Sequence, residues 1–342
     1  MTLEILKEIL SNPRLHMGGV EPAYTFVKQA LLKGKHCCTS NKALVADKGS
    51  ELLKIAKDNN INFLFEASVG GGIPIIRPLH TSLTAEDITD IKGILNGTTN
   101  YMLTKMADEG ADYDTVLKDA QEKGYAEADP TADVEGYDAC RKIAILTSLA
   151  TGKFVDYNDI KTEGITKITK TDMEYAASLG GVIKLIGATH KERDNIYSYV
   201  APVMFNKNHP LAGVSDVFNA IFVKGNMLGD AMFYGQGAGK DATASAVVAD
   251  IIDEARNLNR NLGYTWDEAK LELSDVDSMT SSYFVRVKGD VKDDVKAAFS
   301  DVNIIDSLAE GETAFVTGLI SGSELKDKTA KLELITAVKA EL

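Results

Sequence analysis

The sequence predicts an α/β fold with a parallel, doubly wound sheet near its start and an α+β region behind it. Helical and strand patterns alternate through residues 1–66, and such alternation is typical of a parallel sheet covered by helices. From Gly70 onward this alternation stops, and helices and β-type runs follow in no fixed order. A chain of 342 residues is long enough for two or three domains.

The first elements follow from hydrophobic spacing and from residues that start or stop helices. Pro22 suits the first turn of a helix and Gly34 its end. The two apolar runs on either side of the next helical pattern are short enough to be strands. The predicted elements are helices over residues 2–10, 22–34 and 43–59, and strands over residues 36–40 and 61–69.

The middle of the chain is richer in helices. Asp112 is a favourable N-cap for a helix that ends at Gly124. A glycine-rich turn over residues 235–239 leads into a long amphipathic helix. The predicted elements are a turn at 70–72, helices over 74–83, 98–110, 112–124, 131–151, 172–180 and 240–257, and strands over 87–97 and 195–205.

The last sixty or so residues have a pattern of their own. A strand over 283–289 precedes a helix over 291–301, two strands fall within 303–321, and a helix is predicted over 324–338. This βαββα order indicates a small separate domain over residues 281–342.

Composition excludes several classes of partner. The net charge of -13 and the pI near 4.9 argue against nucleic acid or an anionic membrane surface. No apolar run reaches the length of a membrane span, and no signal peptide opens the sequence. Three cysteines with neither disulfide nor zinc spacing indicate a reduced, cytoplasmic protein.

The stretch GYAEADPTADVEGYDACRK, residues 124–142, has the residues for proton transfer. Asp138 and Lys142 are four positions apart in a helical pattern and therefore share one helix face, next to a loop that carries Glu127. One cation and two carboxylates suit a small substrate with an amine and a hydroxyl. The alternative is an ordinary ion pair on a helix surface.

Three further blocks decide between these interpretations: TSNKALVA (39–46), FEASVGGGIPIIRPL (65–79) and GILNGTTNYMLTKM (93–106). Together with residues 124–142, and in this order, they resemble homoserine dehydrogenases. The resemblance implies an incomplete doubly wound, Rossmann-like nucleotide domain over 1–66, completed by about 235–262, and an α+β catalytic and dimerisation domain over 67–234. The βαββα unit is similar to an ACT domain, a regulatory module that binds amino acids.

The resemblance also implies an activity and its residues. The reaction is the NAD(P)-dependent interconversion of L-homoserine and L-aspartate 4-semialdehyde in threonine, methionine and isoleucine biosynthesis. Lys142 is the expected general acid/base and Lys42 a second catalytic cation. Glu127 and Asp138 are expected to bind the substrate. A related semialdehyde-handling dehydrogenase is a third alternative, which residues 124–142 disfavour.

Cofactor and metal positions are carried over in the same way. Ser40, Lys42 and Gly239 match positions that bind NADP or NAD in the family. A monovalent cation, usually sodium, is expected at Glu66, Val69, Gly71 and Ile73. A homodimer is expected, and threonine is an expected allosteric ligand of the ACT-like unit.

The sequence departs from the family at its start. No strand followed by G-x-G-x-x-G, the usual dinucleotide fingerprint, precedes the first block. Compared with the family, the sequence is therefore expected to lack the first βαβ units, roughly 80 residues. A natural truncation, a wrong start codon and a spliced remnant are the alternatives. The alternative function is therefore a catalytically silent homologue that binds amino acids but no cofactor.

Overall fold

The computed structural model describes residues 18–342. The helix predicted over residues 2–10 lies outside this part. Helices and strands alternate at first and are α1 Ala23–Leu32, β1 Cys37–Cys38, α2 Lys42–Asp58 and β2 Phe63–Leu64. β1 and β2 pair in parallel, Cys37 opposite Phe63, as the alternation predicts.

The second strand is shorter than predicted. Residues 61–69 were expected to be extended, but Glu66–Ser68 forms a turn of 3₁₀ helix directly after β2. The Glu66 carboxylate accepts hydrogen bonds from the backbone N–H groups of Ile75, Ile76 and Arg77 at 2.7–2.9 Å. These bonds fold the chain back on itself and end the strand.

The middle of the chain alternates helices with long antiparallel strands. Its elements are a π-helical turn Pro78–Ser82, β3 Ile88–Ile94, α3 Gly97–Glu109, α4 Tyr113–Glu122, α5 Thr131–Val134, α6 Tyr137–Thr151, β4 Lys153–Phe154, β5 Lys161–Thr162, α7 Lys170–Ser178, β6 Gly181–Glu192, β7 Asn195–Asn206, β8 Phe218–Gly225, β9 Gly229–Gln236, α8 Lys240–Arg256 and β10 Asp267–Lys270. As predicted, Asp112 caps α4 by accepting from the backbone N–H of Thr115. The strands β6, β8 and β9 were not located from the sequence.

The helix predicted over residues 131–151 is two helices in the structure. Gly136 separates α5 from α6 with a φ of 83°, a left-handed conformation that Gly adopts without steric cost. A Cβ at Gly136 would lie 3.0 Å from Val200 and 3.1 Å from Thr162. The break lets α5 and α6 meet at an angle over one site.

The C-terminal unit, residues 280–341, has the element order βαβββαβ. Its elements are β11 Thr280–Lys288, α9 Lys292–Ala298, β12 Val302–Ile305, β13 Glu312–Thr317, β14 Ile320–Ser321, α10 Gly322–Thr329 and β15 Leu334–Glu341. The prediction of a helix over 324–338 was wrong beyond Thr329, because residues 334–341 are a strand. Leu, Ala, Lys and Glu favour helices, but pairing with β11 decides the conformation.

One sheet joins this unit to the middle of the chain. Its order is β12-β13-β11-β15-β7-β6-β3-β8-β9, and β15 runs antiparallel to β11 but parallel to β7. The α3 helix packs on β6 and β8, and the α6 helix packs on β6 and β3. Asn96, before α3, donates to Asp138 in the first turn of α6 at 2.9 Å, so the amino ends of both helices lie near one another. Among residues 18–342, no helix combines the length and the hydropathy that a bilayer crossing demands.

Candidate active site

Asp138, in the first turn of α6, is the centre of a cluster of polar side chains. Its Oδ2 accepts from Lys142 Nζ at 2.7 Å and from Asn96 Nδ2 at 2.9 Å, and its Oδ1 lies 3.0 Å from Lys42 Nζ. Burial opposes the ionised form, but the charges of Lys142 and Lys42 and both hydrogen bonds hold the pKa of Asp138 well below its usual range. Asp138 is therefore a permanent carboxylate.

Lys142 lies one helical turn after Asp138 and is nearly as buried, 9 % exposed against 5 %. Besides Asp138, its Nζ donates to the carbonyl of Leu95 at 2.7 Å. An ammonium has three N–H bonds, so the third remains for a substrate atom. The predicted i,i+4 pair is thus present, and its burial distinguishes it from the surface ion pair of the alternative interpretation.

Lys42 reaches this cluster from another part of the fold. It is the first residue of α2, directly after the carboxyl end of β1, and Asn41 caps that helix. Its side chain is 41 % exposed, so the cluster has a buried side at Lys142 and an open side at Lys42. In open parallel sheets, ligands bind at the carboxyl ends of the strands.

Asp133, in α5, belongs to the cluster and was missed in the sequence. Asn96 Nδ2 donates to Asp133 Oδ1 at 2.7 Å as well as to Asp138. Burial, together with the charge of Asp138, raises the pKa of Asp133. Two neighbouring carboxyl groups whose pKa values move in opposite directions are typical of acid–base sites. The stretch 124–142 has five carboxylates, at 127, 129, 133, 135 and 138. The sequence alone does not distinguish Asp133 among them, because the helix break at Gly136 was not predicted.

Asn96, the first residue of NGTTN (96–100), organises the cluster through its hydrogen bonds. Its Oδ1 accepts from the backbone N–H of Thr99 and caps α3. With its amide shared between Asp133 and Asp138, it has no N–H left for a substrate carboxylate. Asn100 is likewise used, because its amide donates to the carbonyls of Val214, Asp216 and Phe218. Asn96 therefore caps α3 and links the two carboxylates.

Glu127 is exposed and lies in the loop between α4 and α5. Thr98, at the start of α3, donates to the carbonyl of Tyr125 at 2.6 Å and fixes this loop beside the cluster. In the part of the chain that the structure describes, the Glu127 carboxylate has no hydrogen-bond partner. Its role in substrate binding stays a prediction.

The Gly-rich turn before α8 packs against the turn that follows β2. Gly72 donates to the carbonyl of Gln236 at 3.2 Å, and a Cβ at Gly71 would lie 2.5 Å from the carbonyl oxygen of Gly237. α8 begins at Gly239, with a φ of 113° and no side-chain cap, and open space surrounds Gly239. Residues 237–242 also read G-x-G-x-x-A, a variant of the fingerprint.

This turn fits a phosphate-bearing cofactor in part. An open, uncapped helix start offers backbone N–H groups to an anion. The strand before it, β9, is an antiparallel strand and not the parallel strand of a βαβ unit. Ser40 is exposed in the loop after β1. Ser40 and Lys42 therefore follow the carboxyl end of β1. The glycine turns follow the carboxyl end of β2 or pack on it.

The candidate cation position also fits in part. The carbonyl oxygens of Val69, Gly71 and Ile73 accept no hydrogen bond within residues 18–342. The Glu66 carboxylate, expected as a ligand, is instead occupied by three backbone N–H groups. Within residues 18–342, the main-chain carbonyl of Glu66 accepts a single long hydrogen bond, 3.5 Å from the N–H of Val69. Main-chain oxygens are therefore the donors that this position offers to a hard cation.

Gly237 is enclosed between Gly71 and the side chain of Asn219, which gives a testable consequence. A Cβ at Gly237 would lie 2.0 Å from Asn219 Nδ2, and Asn219 is only 1 % exposed. We expect Gly237→Ala to lower the free energy of unfolding by about 1–3 kcal/mol, as overpacking does. Urea denaturation measures this effect.

The matched control is Gly213→Ala, because nothing lies within 4 Å of a Cβ there and its backbone is not left-handed. This control should change the free energy of unfolding by less than about 1 kcal/mol, the usual range for an open site. Equal effects of the two substitutions would contradict the enclosure of Gly237.

Beneath the same turns, α8 packs on β1 and on the 3₁₀ turn Glu66–Ser68, and it carries two buried acids, Asp250 and Glu254. Asp250 accepts from the backbone N–H of Glu66 at 2.9 Å and pairs with Arg77 at 2.9 Å. Glu254 is 8 % exposed. Burial raises the pKa of Glu254 to about 7, the charge of Asp250 adds to this, and the nearby Cys38 thiol opposes it.

The raised pKa of Glu254 predicts a pH dependence of stability. A carboxyl whose pKa is about 7 when folded and about 4.3 when unfolded stabilises the fold below the lower value, and this contribution is lost as pH rises through 7. We expect Glu254→Gln to be more stable than the parent chain at pH 8 by about 1–3 kcal/mol, given about 1.4 kcal/mol per pKa unit and partial relaxation.

Urea denaturation at pH 5 and pH 8 measures this difference. Glu272→Gln is the control, because Glu272 is exposed and has no recorded partner among the described residues. Parallel pH profiles for the parent chain and Glu254→Gln would contradict the raised pKa.

Comparison with known proteins identifies the family. The sequence pattern of homoserine dehydrogenases matches residues 74–252, a range that includes Asp133, Asp138, Lys142 and Gly239. A homoserine dehydrogenase from Synechocystis is 50 % identical over 257 residues, which cover 72 % of this chain and 59 % of that protein.

The chain belongs to the homoserine dehydrogenase family. Solved structures of homoserine dehydrogenases agree. The enzyme from Thiobacillus denitrificans superposes with a TM-score of 0.86 at 34 % identity, over 95 % of this chain and 80 % of that one. A hyperthermophilic archaeal homoserine dehydrogenase in complex with NADPH gives a TM-score of 0.61 at 32 % identity, over 70 % of this chain and 69 % of that one.

The chain covers only part of the length of the relative from Synechocystis. The chain spans less than two thirds of the Synechocystis homoserine dehydrogenase, 59 % of its length. The family is therefore assigned from the matched region, whereas activity, cofactor and partners are argued below.

Proposed function

We propose that this chain catalyses the NAD(P)-dependent interconversion of L-homoserine and L-aspartate 4-semialdehyde. The observation that carries the proposal is the buried Lys142–Asp138 pair, with Lys42 and Asp133 completing the cluster at distances of 2.7–3.0 Å. An alcohol–aldehyde conversion needs a group that holds or releases a proton beside the reacting oxygen. Lys142 has one N–H bond left for that oxygen.

Lys142 is the proposed general acid/base. In the direction of aldehyde reduction the ammonium donates its free N–H proton to the carbonyl oxygen and becomes a neutral amine. In the direction of alcohol oxidation that neutral amine takes the hydroxyl proton and becomes the ammonium again. Asp138, ionised throughout, fixes the position of Nζ and stabilises its positive charge. The Leu95 carbonyl, 2.7 Å from Nζ, fixes a second N–H direction, which leaves the third N–H bond for the substrate oxygen.

The remaining polar groups are assigned to substrate recognition. Lys42, half-exposed at the open side of the cluster, acts as the second cation and polarises the substrate oxygen. Glu127 and Asp138 accept hydrogen bonds from the substrate's amino and hydroxyl groups. Asp133, joined to Asp138 through Asn96, positions Asp138.

The cofactor is assigned to the carboxyl ends of β1 and β2. Ser40, Lys42 and Gly239 are the residues that would hold it. When bound, NAD(P) exchanges a hydride with the substrate carbon. The archaeal relative in complex with NADPH supports NADP or NAD as the cofactor class.

Several finer assignments complete the proposal. A sodium ion is assigned to the main-chain oxygens of Glu66, Val69, Gly71 and Ile73. Residues 67–234 are assigned as the catalytic and dimerisation domain of a homodimer, and residues 1–66 with about 235–262 as the nucleotide domain. The C-terminal unit is assigned as an ACT-like domain with threonine as its allosteric ligand, in a cytoplasmic enzyme of amino-acid biosynthesis.

Calorimetric titration of the 342-residue chain with NADP⁺ and NAD⁺, in the presence of homoserine, tests the proposal. The expected result is saturable binding together with oxidation of NADPH that depends on aspartate 4-semialdehyde. Absence of cofactor binding at millimolar concentration, in a folded sample that homoserine or threonine still stabilises, would instead favour the catalytically silent homologue.

A further inference from the structure

A cavity of about 310 Å³ lies where the C-terminal unit meets the middle of the chain. We call it the seam cavity. Its walls are residues 161–168 and 199–202 on one side, and residues of β11, α10 and β15 on the other. The volume is at the lower end of small-molecule sites, about 300–1,000 Å³. At about 30 Å³ per water molecule, it has room for a small metabolite.

The lining of the seam cavity is positively charged. Four lysines face two carboxylates, which gives a net charge of +2, in a chain whose total is -13. These residues are Lys161, Lys167, Lys326 and Lys339, with Glu163 and Asp277. A cavity whose charge opposes that of the whole molecule is not explained by the general charge composition.

The carboxylates leave this charge uncompensated. Asp277 is shared, because its Oδ1 pairs with Lys161 and its Oδ2 with Lys326, both at 2.5 Å. One carboxylate therefore serves two ammonium groups from opposite walls. Glu163 is exposed and has no recorded ion pair within residues 18–342.

Lys339, on β15, is a partly buried lysine without a carboxylate partner among residues 18–342. Its Nζ lies 5.2 Å from the ring centre of Tyr199 and 5.0 Å from that of Tyr283, and donates to the Tyr283 hydroxyl at 3.2 Å. Burial, with the charge of Lys161, lowers the pKa of Lys339 to about 8. No carboxylate lies within ion-pair distance of Lys339 in the described structure.

We propose that the seam cavity binds a small anionic metabolite, one whose carboxylate or phosphate group lies between Lys339 and Lys161. Ammonium groups from both walls then converge on one anion, in the way that Asp277 now joins two of them. The two aromatic rings beside Lys339 form an apolar floor for the remainder of the ligand. This site is separate from the Asp138–Lys142 cluster and does not depend on the proposed reaction.

Ligand binding in the seam cavity would stabilise the contact between the C-terminal unit and the middle of the chain. β15 carries Lys339 and pairs in parallel with β7, Lys339 standing opposite Val203. Lys161 lies on β5, which also pairs with β7. A ligand that contacts both lysines therefore stabilises the folded arrangement by its binding free energy.

Isothermal titration of the full chain with inorganic phosphate and with succinate, at constant ionic strength, tests this site. We expect saturable binding of at least one probe, and at least tenfold weaker binding in both Lys339→Gln and Lys161→Gln. Lys331→Gln is the control, because Lys331 is exposed, has no recorded partner among the described residues and lies outside the cavity. It should bind the probe like the parent chain.

The probes separate the two sources of anion. Tighter binding of phosphate indicates a phosphorylated ligand, and tighter binding of succinate a carboxylate. If Lys339→Gln fails to fold, Lys161→Gln decides the result, since its side chain is 51 % exposed. Absence of binding by both probes at millimolar concentration overturns the site. Equal weakening of binding in Lys331→Gln also overturns it, because phosphate stabilises proteins non-specifically as well.

Discussion

Replacing Lys142 with Met is expected to lower kcat for the reduction of L-aspartate 4-semialdehyde by about 10²–10⁴-fold, the usual contribution of a general acid/base. Met has a similar length and removes only the ammonium group. Asp138 keeps its contacts with Lys42 and Asn96, so its carboxylate does not become an isolated buried charge. The rate of NADPH oxidation at saturating aldehyde measures the effect.

Two further variants make this result specific. Lys142→Arg keeps the positive charge, but a guanidinium does not give up a proton in proteins, so kcat should fall to a similar extent. Lys105→Met is the matched control, since Lys105 forms an i,i+4 pair with Glu109 at 2.6 Å on an outer helix face. It should keep kcat within about twofold, as exposed pairs contribute little. A kcat of Lys142→Met within tenfold of the parent value would contradict the assigned role.

The cluster around Asp138 could be predicted only where its residues are close in sequence. Asp138 and Lys142 share a helix face by spacing alone, and the structure confirms that pair. Lys42 joined the prediction only through the family resemblance, because 96 residues separate it from Asp138 and no local rule links them. Leu95 contributes a backbone carbonyl, which side-chain identity cannot reveal.

The same limit explains the errors in the fold. Elements with their own start and stop residues, such as α4 with its Asp112 cap, were predicted well. β15 has a helix-like composition, and only its neighbours β11 and β7 make it a strand. Gly136 was visible in the sequence, but its left-handed backbone depends on how closely Val200 and Thr162 approach.

Replacing Arg286 with Met is expected to lower the free energy of unfolding by about 3–5 kcal/mol, the effect of breaking a buried ion pair. Arg286, on β11, is 5 % exposed and pairs with Asp172 at 2.7 Å and with Glu312 at 2.6 Å. Asp172 belongs to α7 and Glu312 to β13, so this triad holds the C-terminal unit against the middle of the chain. Without Arg286, two buried carboxylates lose their cation.

The control for Arg286→Met lies on the same strand. Lys288 pairs with Glu333, but both side chains are more than 60 % exposed, so Lys288→Met should cost no more than about 1 kcal/mol. Equilibrium denaturation in urea compares the two variants. Equal effects would show that burial of the triad does not matter.

A triple variant distinguishes the loss of the ion pair from the loss of packing. Arg286→Met combined with Asp172→Leu and Glu312→Leu removes all three charges from the same buried site. Apolar groups of similar volume are often as stable as a buried ionic network, so we expect most of the lost stability to return. The Tyr175 hydroxyl, which donates to Glu312 at 2.8 Å, would then lack that acceptor, which limits the recovery by about 1–3 kcal/mol. If the triple variant is no more stable than Arg286→Met, the destabilisation comes from packing, and electrostatics does not hold this interface together.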